Sequence, residues 1–193
     1  MTIFDLLFII AFLTAVVLLV LSAIAAIRKR RARAVALLRN FGIFVAVYFG
    51  IVILVSVLSP RRVLHVGDDQ CSDDWCIAVA DVQREPSDAG VTYVVIFRVS
   101  SRARGRPQRE GGVQVYVMDD RGRCYDPVPD TAASPFDVLL QPRESVQIRR
   151  AFELPADAQA PVLVVSHGGG FPGCCIIGDS ESLFHKRTVV QLD

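Results

Sequence analysis

The chain has 193 residues, 52% of them hydrophobic, with 21 basic and 20 acidic side chains. A net charge of +1 excludes the broad basic field that nucleic-acid binding needs, and the length fits one domain with something added. Mean hydropathy is +0.40, high for a soluble chain, and the excess sits in the first 59 residues.

The run Leu6–Ile27 is 22 residues without a charge. At about 1.5 Å of rise per residue it crosses a hydrocarbon core of about 30 Å as a helix. A second run, Phe41–Ser59, adds 19 residues, just enough for another crossing. In lipid the backbone must bond to itself, so both runs are expected to be helices. The start, Met1-Thr-Ile-Phe-Asp5, has no basic side chain, unlike the n-region of a cleaved signal. Between the runs, residues 28–40 carry Arg28, Lys29, Arg30, Arg31, Arg33 and Arg39. The positive-inside rule puts this loop in the cytoplasm and the N-terminus and everything after Ser59 outside. Arg61 and Arg62 oppose this weakly. Gly42, Ala46 and Gly50 form a small-residue ladder on the second helix, suited to close packing against the first helix or against a second copy of the chain. Neither run contains an ionisable side chain at depth, which argues against transport.

Residues 60–75 read as a stalk, and residues 76–193 as a β domain with 15 basic and 19 acidic side chains from Pro60 onward. Seven short runs favour strands: 76–84, 91–99, 113–118, 124–125, 144–152, 161–166 and 188–192. Asp119-Asp-Arg-Gly-Arg123 marks a turn, with Gly122 able to take positive φ. Ser101–Gly112 reads as a long polar hairpin loop. No helical period of any length interrupts the set. The pattern predicts a two-layer, all-β sandwich of immunoglobulin-like type, carried after two transmembrane helices, with Trp75 in or over its core.

Leu140-Gln-Pro-Arg-Glu-Ser-Val146, followed by Ala151-Phe-Glu-Leu-Pro155, resembles the L-x-P-G-E-S and F-x-V-P signature of bacterial extracytoplasmic immunoglobulin-like domains of unknown function. These are similar to the immunoprotective-antigen fold. The 119–122 hairpin followed by Tyr125 fits the same pattern. Arg143 stands where that family has glycine. The ending from Cys175 to Val190 resembles a tail found on membrane-anchored bacterial proteins. The resemblance covers roughly 76–193; it implies a fold, an envelope location and a binding role, and it carries no catalytic residues. The preference for arginine over lysine also fits a GC-rich bacterial genome, so the expected location is the bacterial inner membrane.

All five cysteines, Cys71, Cys76, Cys124, Cys174 and Cys175, fall in the part expected outside, where disulfides persist. Cys71 and Cys76 are close enough to staple the first strand, and Cys124 is expected to pair with Cys174 or Cys175, since adjacent cysteines bridge poorly. No C-x-x-C or Cys/His spacing marks a metal site, and neither a metal nor a cofactor is expected. Asp68, Asp69, Asp73 and Asp74 cluster around Cys71 without calcium-loop spacing and read as a solvated stalk. Arg98, Arg102, Arg104, Arg106 and Arg109 crowd one strand and its loop, the best surface for an anionic envelope protein or glycan. His167-Gly-Gly-Gly170 resembles an oxyanion loop, but no G-x-S-x-G accompanies it, and the domain is not expected to be an enzyme. The leading reading is an envelope interaction module on a membrane anchor. The alternatives are a cysteine-based redox or metal sensor and a hydrolase using Ser166, His167 or His185.

Overall fold

The computed structural model describes residues 3–87, 90–131, 134–167, 173–179 and 182–192. The chain divides into two compact units: residues 1–60 with 169–186, and residues 61–168 with 187–193.

The first unit is a helical hairpin. Helix α1 runs Ile3–Ile27 and α2 runs Arg31–Leu58. Each is long and apolar enough to cross a membrane. At the end of α1 the Arg30 N–H reaches the Ala25 carbonyl and the Lys29 N–H the Ala26 carbonyl. This is the paired closure that ends a helix on a left-handed residue. Lys29 takes that conformation, at φ 57°. The expected loop 28–40 therefore shrinks to a turn at 28–30. Residues 31–38, rich in Arg, Ala and Leu, are strong helix formers and start α2 ten residues before its apolar run. Near the turn the Ser22 hydroxyl donates to the Ala34 carbonyl across the hairpin. At the far end the Ser59 N–H and hydroxyl both donate to the Val55 carbonyl, and Pro60 prevents another turn.

The described part of residues 169–186 belongs to this unit as well. It opens with a 3₁₀ turn, Gly173–Cys175. The Tyr48 hydroxyl of α2 donates to the Cys175 carbonyl at 2.8 Å, and the Ser56 and Ser182 hydroxyls share a hydrogen bond at 2.8 Å. Val52, on the same face of α2, is fully buried.

The second unit is a β-sandwich, with nine strands among the described residues: β1 Val63–Leu64, β2 Asp69–Ser72, β3 Trp75–Ser87, β4 Gly90–Ser101, β5 Gln114–Met118, β6 Cys124–Tyr125, β7 Ser145–Pro155, β8 Val162–Ser166 and β9 Val189–Gln191. One sheet has the order β1-β9-β8-β5-β6 and the other β2-β3-β4-β7. All pairs are antiparallel except β1 with β9. The seven expected strands are present. The expected stalk is not: residues 63–64 and 69–72 are edge strands, one in each sheet, too short to show a period of two. Residues 102–113 also differ from expectation. They cross from β4 in one sheet to β5 in the other, so they are no hairpin loop.

Alternate residues of each strand face the core. Trp75, Ile77 and Val79 of β3, Tyr93, Val95, Phe97 and Val99 of β4, and Ile148, Phe152 and Leu154 of β7 meet Val115, Val117, Leu163 and Val190 of the opposite sheet. The pairing of β3 shifts between Val79 and Asp81. That bulge moves the inward register from Val79 to Val82, which is why the alternation in this stretch of sequence is imperfect. Trp75 is 1% exposed and sits in the core as expected. Gly90 is required by space: a Cβ there would lie 2.3 Å from the Leu154 carbonyl oxygen.

Candidate functional site

The crossover from β4 to β5 carries most of the arginine cluster. Its entry is fixed where the Arg102 N–H donates to the Asp74 carbonyl at 2.6 Å and where Ala103 is buried. Its exit is fixed by a bridge between Gln108 and Leu140, each N–H donating to the other's carbonyl at 2.8 Å. Between these points residues 104–107 are exposed.

Charge pairing divides the five arginines. Asp69 on β2 accepts Arg98 at 3.0 Å and Arg102 at 2.7 Å. Arg109 reaches both the backbone carbonyl and the carboxylate of Asp137. Arg104 and Arg106 have no ion-pair partner among the described residues and stand exposed between the clamped ends. Each exposed pair contributes at most about 1 kcal/mol, so these pairs matter more for position than for stability. They neutralise the base of the loop and leave two guanidinium groups at its tip. Such groups suit carboxylate, phosphate or sulfate oxygens in a planar, two-point contact.

The acidic cluster is used locally. Asp68 accepts the His65 N–H, Asp69 holds the two arginines, and Asp74 accepts from Gln108. Asp73, at φ 52°, supplies the left-handed residue of the β2–β3 turn.

Of the cysteines, Cys71 and Cys76 form a disulfide across directly paired positions of β2 and β3. The expected partnership of Cys124 with Cys174 or Cys175 would join residues of the two separate units. Cys124 is an exposed free thiol at the start of β6, while Cys174 and Cys175 are free, half-buried thiols of the helical unit with their sulfurs 3.2 Å apart. Among the described residues no three metal-ligating side chains converge.

Gly42, Ala46 and Gly50 lie on an exposed face of α2. A Cβ at either glycine would meet nothing within 4 Å. The ladder therefore does not serve the packing of α2 on α1, which uses larger side chains. Phe44, Val45, Tyr48 and Phe49 of α2 meet Phe8, Ala11, Phe12 and Ala15 of α1 around an apolar cavity of about 140 Å³ that also touches Cys175. Of the hydrolase candidates, Ser166 ends β8, His167 packs edge-on against Trp75 with its Nδ1 3.4 Å from Glu110, and His185 belongs to the helical unit. Residues 168–170 of the glycine run lie outside the described residues.

One charged knot escapes a reading of the sequence. The Asp119 carboxylate is buried and accepts the Arg121 and Arg123 N–H groups, the Arg123 side chain at 2.6 Å and the Tyr125 hydroxyl at 3.1 Å. Asp157, far along the chain, takes Arg121 at 2.9 Å and Arg123 at 3.1 Å. Burial works to raise the Asp119 pKa, but the hydrogen bonds from Arg123 and Tyr125 outweigh it and hold it below the usual carboxylate value. Hydrogen bonding from Arg123 lowers Asp157 likewise. Burial and the bond to Asp119 raise Tyr125. Two arginines balance two aspartates, so the knot is a brace for the β5–β6 hairpin. The turn-forming Asp119–Arg123 stretch is visible in the sequence, but nothing there points to Asp157.

No protein-family model and no curated protein matches the chain. Among solved structures, an uncharacterised β-sandwich protein from Clostridium difficile 630 is similar at 9% identity. It covers 70% of this chain and 96% of its own, with a TM-score of 0.46.

Proposed function

We propose that the protein is a bacterial inner-membrane protein whose two helices anchor an immunoglobulin-like interaction domain on the extracytoplasmic side. The helix lengths fit a bilayer, and six basic residues at and after the turn favour a cytoplasmic hairpin end. A disulfide in the sandwich fits an oxidising compartment. The strand order supports the immunoglobulin-like reading. β3-β4-β7 corresponds to strands A, B and E, and β9-β8-β5-β6 to G, F, C and an added C′.

The observation that carries a binding role is the clamped crossover with Arg104 and Arg106 left unpaired. A loop held at both ends loses little entropy on binding, and its two free cations select an acidic protein or an anionic glycan of the envelope. Photocrosslinking groups placed at positions 104 and 106 in living cells are expected to capture one such component. A group at Glu153, exposed on β7, serves as the control. Adducts no stronger at 104 and 106 than at 153 would sink the proposal.

A second reading has one observation in its favour, the 3.2 Å approach of the Cys174 and Cys175 sulfurs. Thiol exchange with a disulfide oxidant would move two electrons and two protons from this pair to the oxidant. Mass spectrometry of alkylated protein taken from membranes before and after oxidant treatment tests it. An unchanged thiol count removes this reading.

A further inference from the structure

We infer that the turn end of the helical hairpin is a binding surface for anionic phospholipids, whose phosphates meet the arginines of α2 while their acyl chains cover the exposed face of α1. The inference rests on the reading of α1 and α2 as membrane spans and names the lipid that this end of the anchor selects.

The register of the hairpin carries it. The Ser22 hydroxyl bonds to the Ala34 carbonyl at 3.2 Å, so these two residues stand level. Further from the turn, Ala11 and Phe12 line the same cavity as Phe44 and Val45, which keeps that register. Counted from Ser22 and Ala34, Arg31 stands level with Ala25, Arg33 with Ala23 and Arg39 with Val17. Val17 is ten residues inside the end of the uncharged run at Ile27. That is roughly 15 Å along the helix, half of a typical hydrocarbon core. The two apolar runs are therefore staggered: α1 stays uncharged through a stretch where α2 already carries three arginines. No single depth suits both. Centring the run of α1 in the bilayer puts Arg39 near the midplane, where an unneutralised cation is costly. Centring the run of α2 lifts Leu21, Ile24 and Ile27, all exposed, out of the hydrocarbon.

The arginines also lack an anion. All six basic residues from Arg28 to Arg39 are exposed and make no ion pair among the described residues. The sequence has no acidic side chain between Asp5 and Asp68, and Asp5 lies in the first turn of α1, roughly 35 Å along the helix from Arg28. The counter-charge must come from outside the hairpin. Guanidinium groups take phosphate oxygens in two-point contacts, and their long stems reach toward headgroup level from below. Beside them on α1, Val17, Leu21 and Ile24 are exposed and form one stripe by their spacing. An acidic protein or a soluble polyanion would answer the charge but leave this stripe in water. A phospholipid answers both at one depth. A zwitterionic lipid brings the same chains but carries its own cation, so the surface favours a lipid with net negative charge.

Tryptophan fluorescence of the full chain in vesicles tests the inference. The vesicles contain phosphatidylcholine and phosphatidylglycerol in equal amounts, with bromine on the acyl chains of one lipid or the other. Native Trp75 is buried in the sandwich core and supplies a constant background. Leu38→Trp, exposed on α2 beside Arg39, reports on the turn end, and Leu54→Trp, exposed near the other end of α2, reports on the span. The added emission of Leu38→Trp is expected to be quenched more by brominated phosphatidylglycerol, with a preference of about fivefold, the effect of one basic residue at an anionic surface. Replacing Arg31, Arg33 and Arg39 by glutamine, which keeps helix propensity, should abolish that preference and leave the quenching of Leu54→Trp unchanged. If both brominated lipids quench Leu38→Trp alike, or if the preference survives the glutamine substitutions, the lipid surface is refuted while the quenching of Leu54→Trp upholds the anchor. If neither lipid quenches Leu54→Trp, the anchor fails and the lipid surface with it.

Discussion

The turn at Gln141–Glu144 gives the sharpest test of how backbone conformation sets stability here. The Glu144 N–H donates to the Gln141 carbonyl at 3.0 Å, which closes a four-residue turn with Pro142 and Arg143 at its centre. Arg143 has φ 65°, the positive value demanded of the third residue in a type II turn, where glycine is preferred. The Arg143 side chain is exposed and makes no hydrogen bond or ion pair among the described residues. Holding an L-residue in this conformation costs about 1–2 kcal/mol. Glycine removes that cost but gives back roughly 0.5–1 kcal/mol through the entropy of the unfolded chain. Arg143→Gly is therefore expected to stabilise the sandwich by about 0.5–1 kcal/mol, a rise of roughly 2–5 °C in melting temperature for a domain of this size. Arg143→Ala keeps a Cβ and should leave the melting point nearly unchanged. Thermal denaturation of the full chain in detergent, followed by the β-sheet circular dichroism signal, makes the comparison. Equal melting points for the glycine and alanine variants would refute the backbone argument, whatever their relation to the parent.

Two further outcomes follow from the sandwich. Replacing Cys71 by serine opens a disulfide whose cysteines are five residues apart, and loss of so small a loop closure should cost about 2 kcal/mol in chemical denaturation; no loss would mean that the pairing of β2 with β3 already fixes this edge. The Asp119 knot sets a pH window for the β5–β6 hairpin. Asp119 and Asp157 lie below their ordinary carboxylate value in the folded protein. Their contribution is complete above about pH 4 and is lost as acid protonates them. Tyr125 is raised, so the unfolded chain ionises first near pH 10 and stability falls on that side too. Hydrogen exchange across pH should show protection flat between these limits, and Asp119→Asn should flatten the acid limb.

Much of the fold is visible in the sequence because period-two patterning over four or more residues has few other causes. The runs at 91–99 and 113–118 lie where β4 and β5 lie, and the uncharged run 6–27 lies within α1. Short elements leave no such trace. β1 and β2 have two and four residues, and they form because an open sheet edge has unpaired backbone groups to satisfy. The start of α2 was obscured by its charges: hydropathy marks only the apolar run, whereas helix propensity carries the helix back to Arg31. The arginine loop was recognisable as a cluster, but not which two members stay free, because Asp69 and Asp137 are brought in by tertiary pairing. The same holds for Tyr48 and Ser56. Two polar side chains in an apolar helix hint at a partner, but the partners lie 127 and 126 residues further along the chain.

The sandwich is not continuous in sequence. Residues 169–186, between the paired strands β8 and β9, belong to the helical unit. A fragment starting at Arg61, made to obtain the domain in water, would keep that stretch but lose α2. The half-buried isoleucines at 176 and 177 would then join the already exposed Leu183 and Phe184 in an apolar patch, and the carbonyl of Cys175 would lack its tyrosine. Such a fragment should self-associate for reasons unrelated to the stability of its sheets. Joining β8 to β9 by a short polar linker in place of 169–186 is the cut that respects the physical boundary.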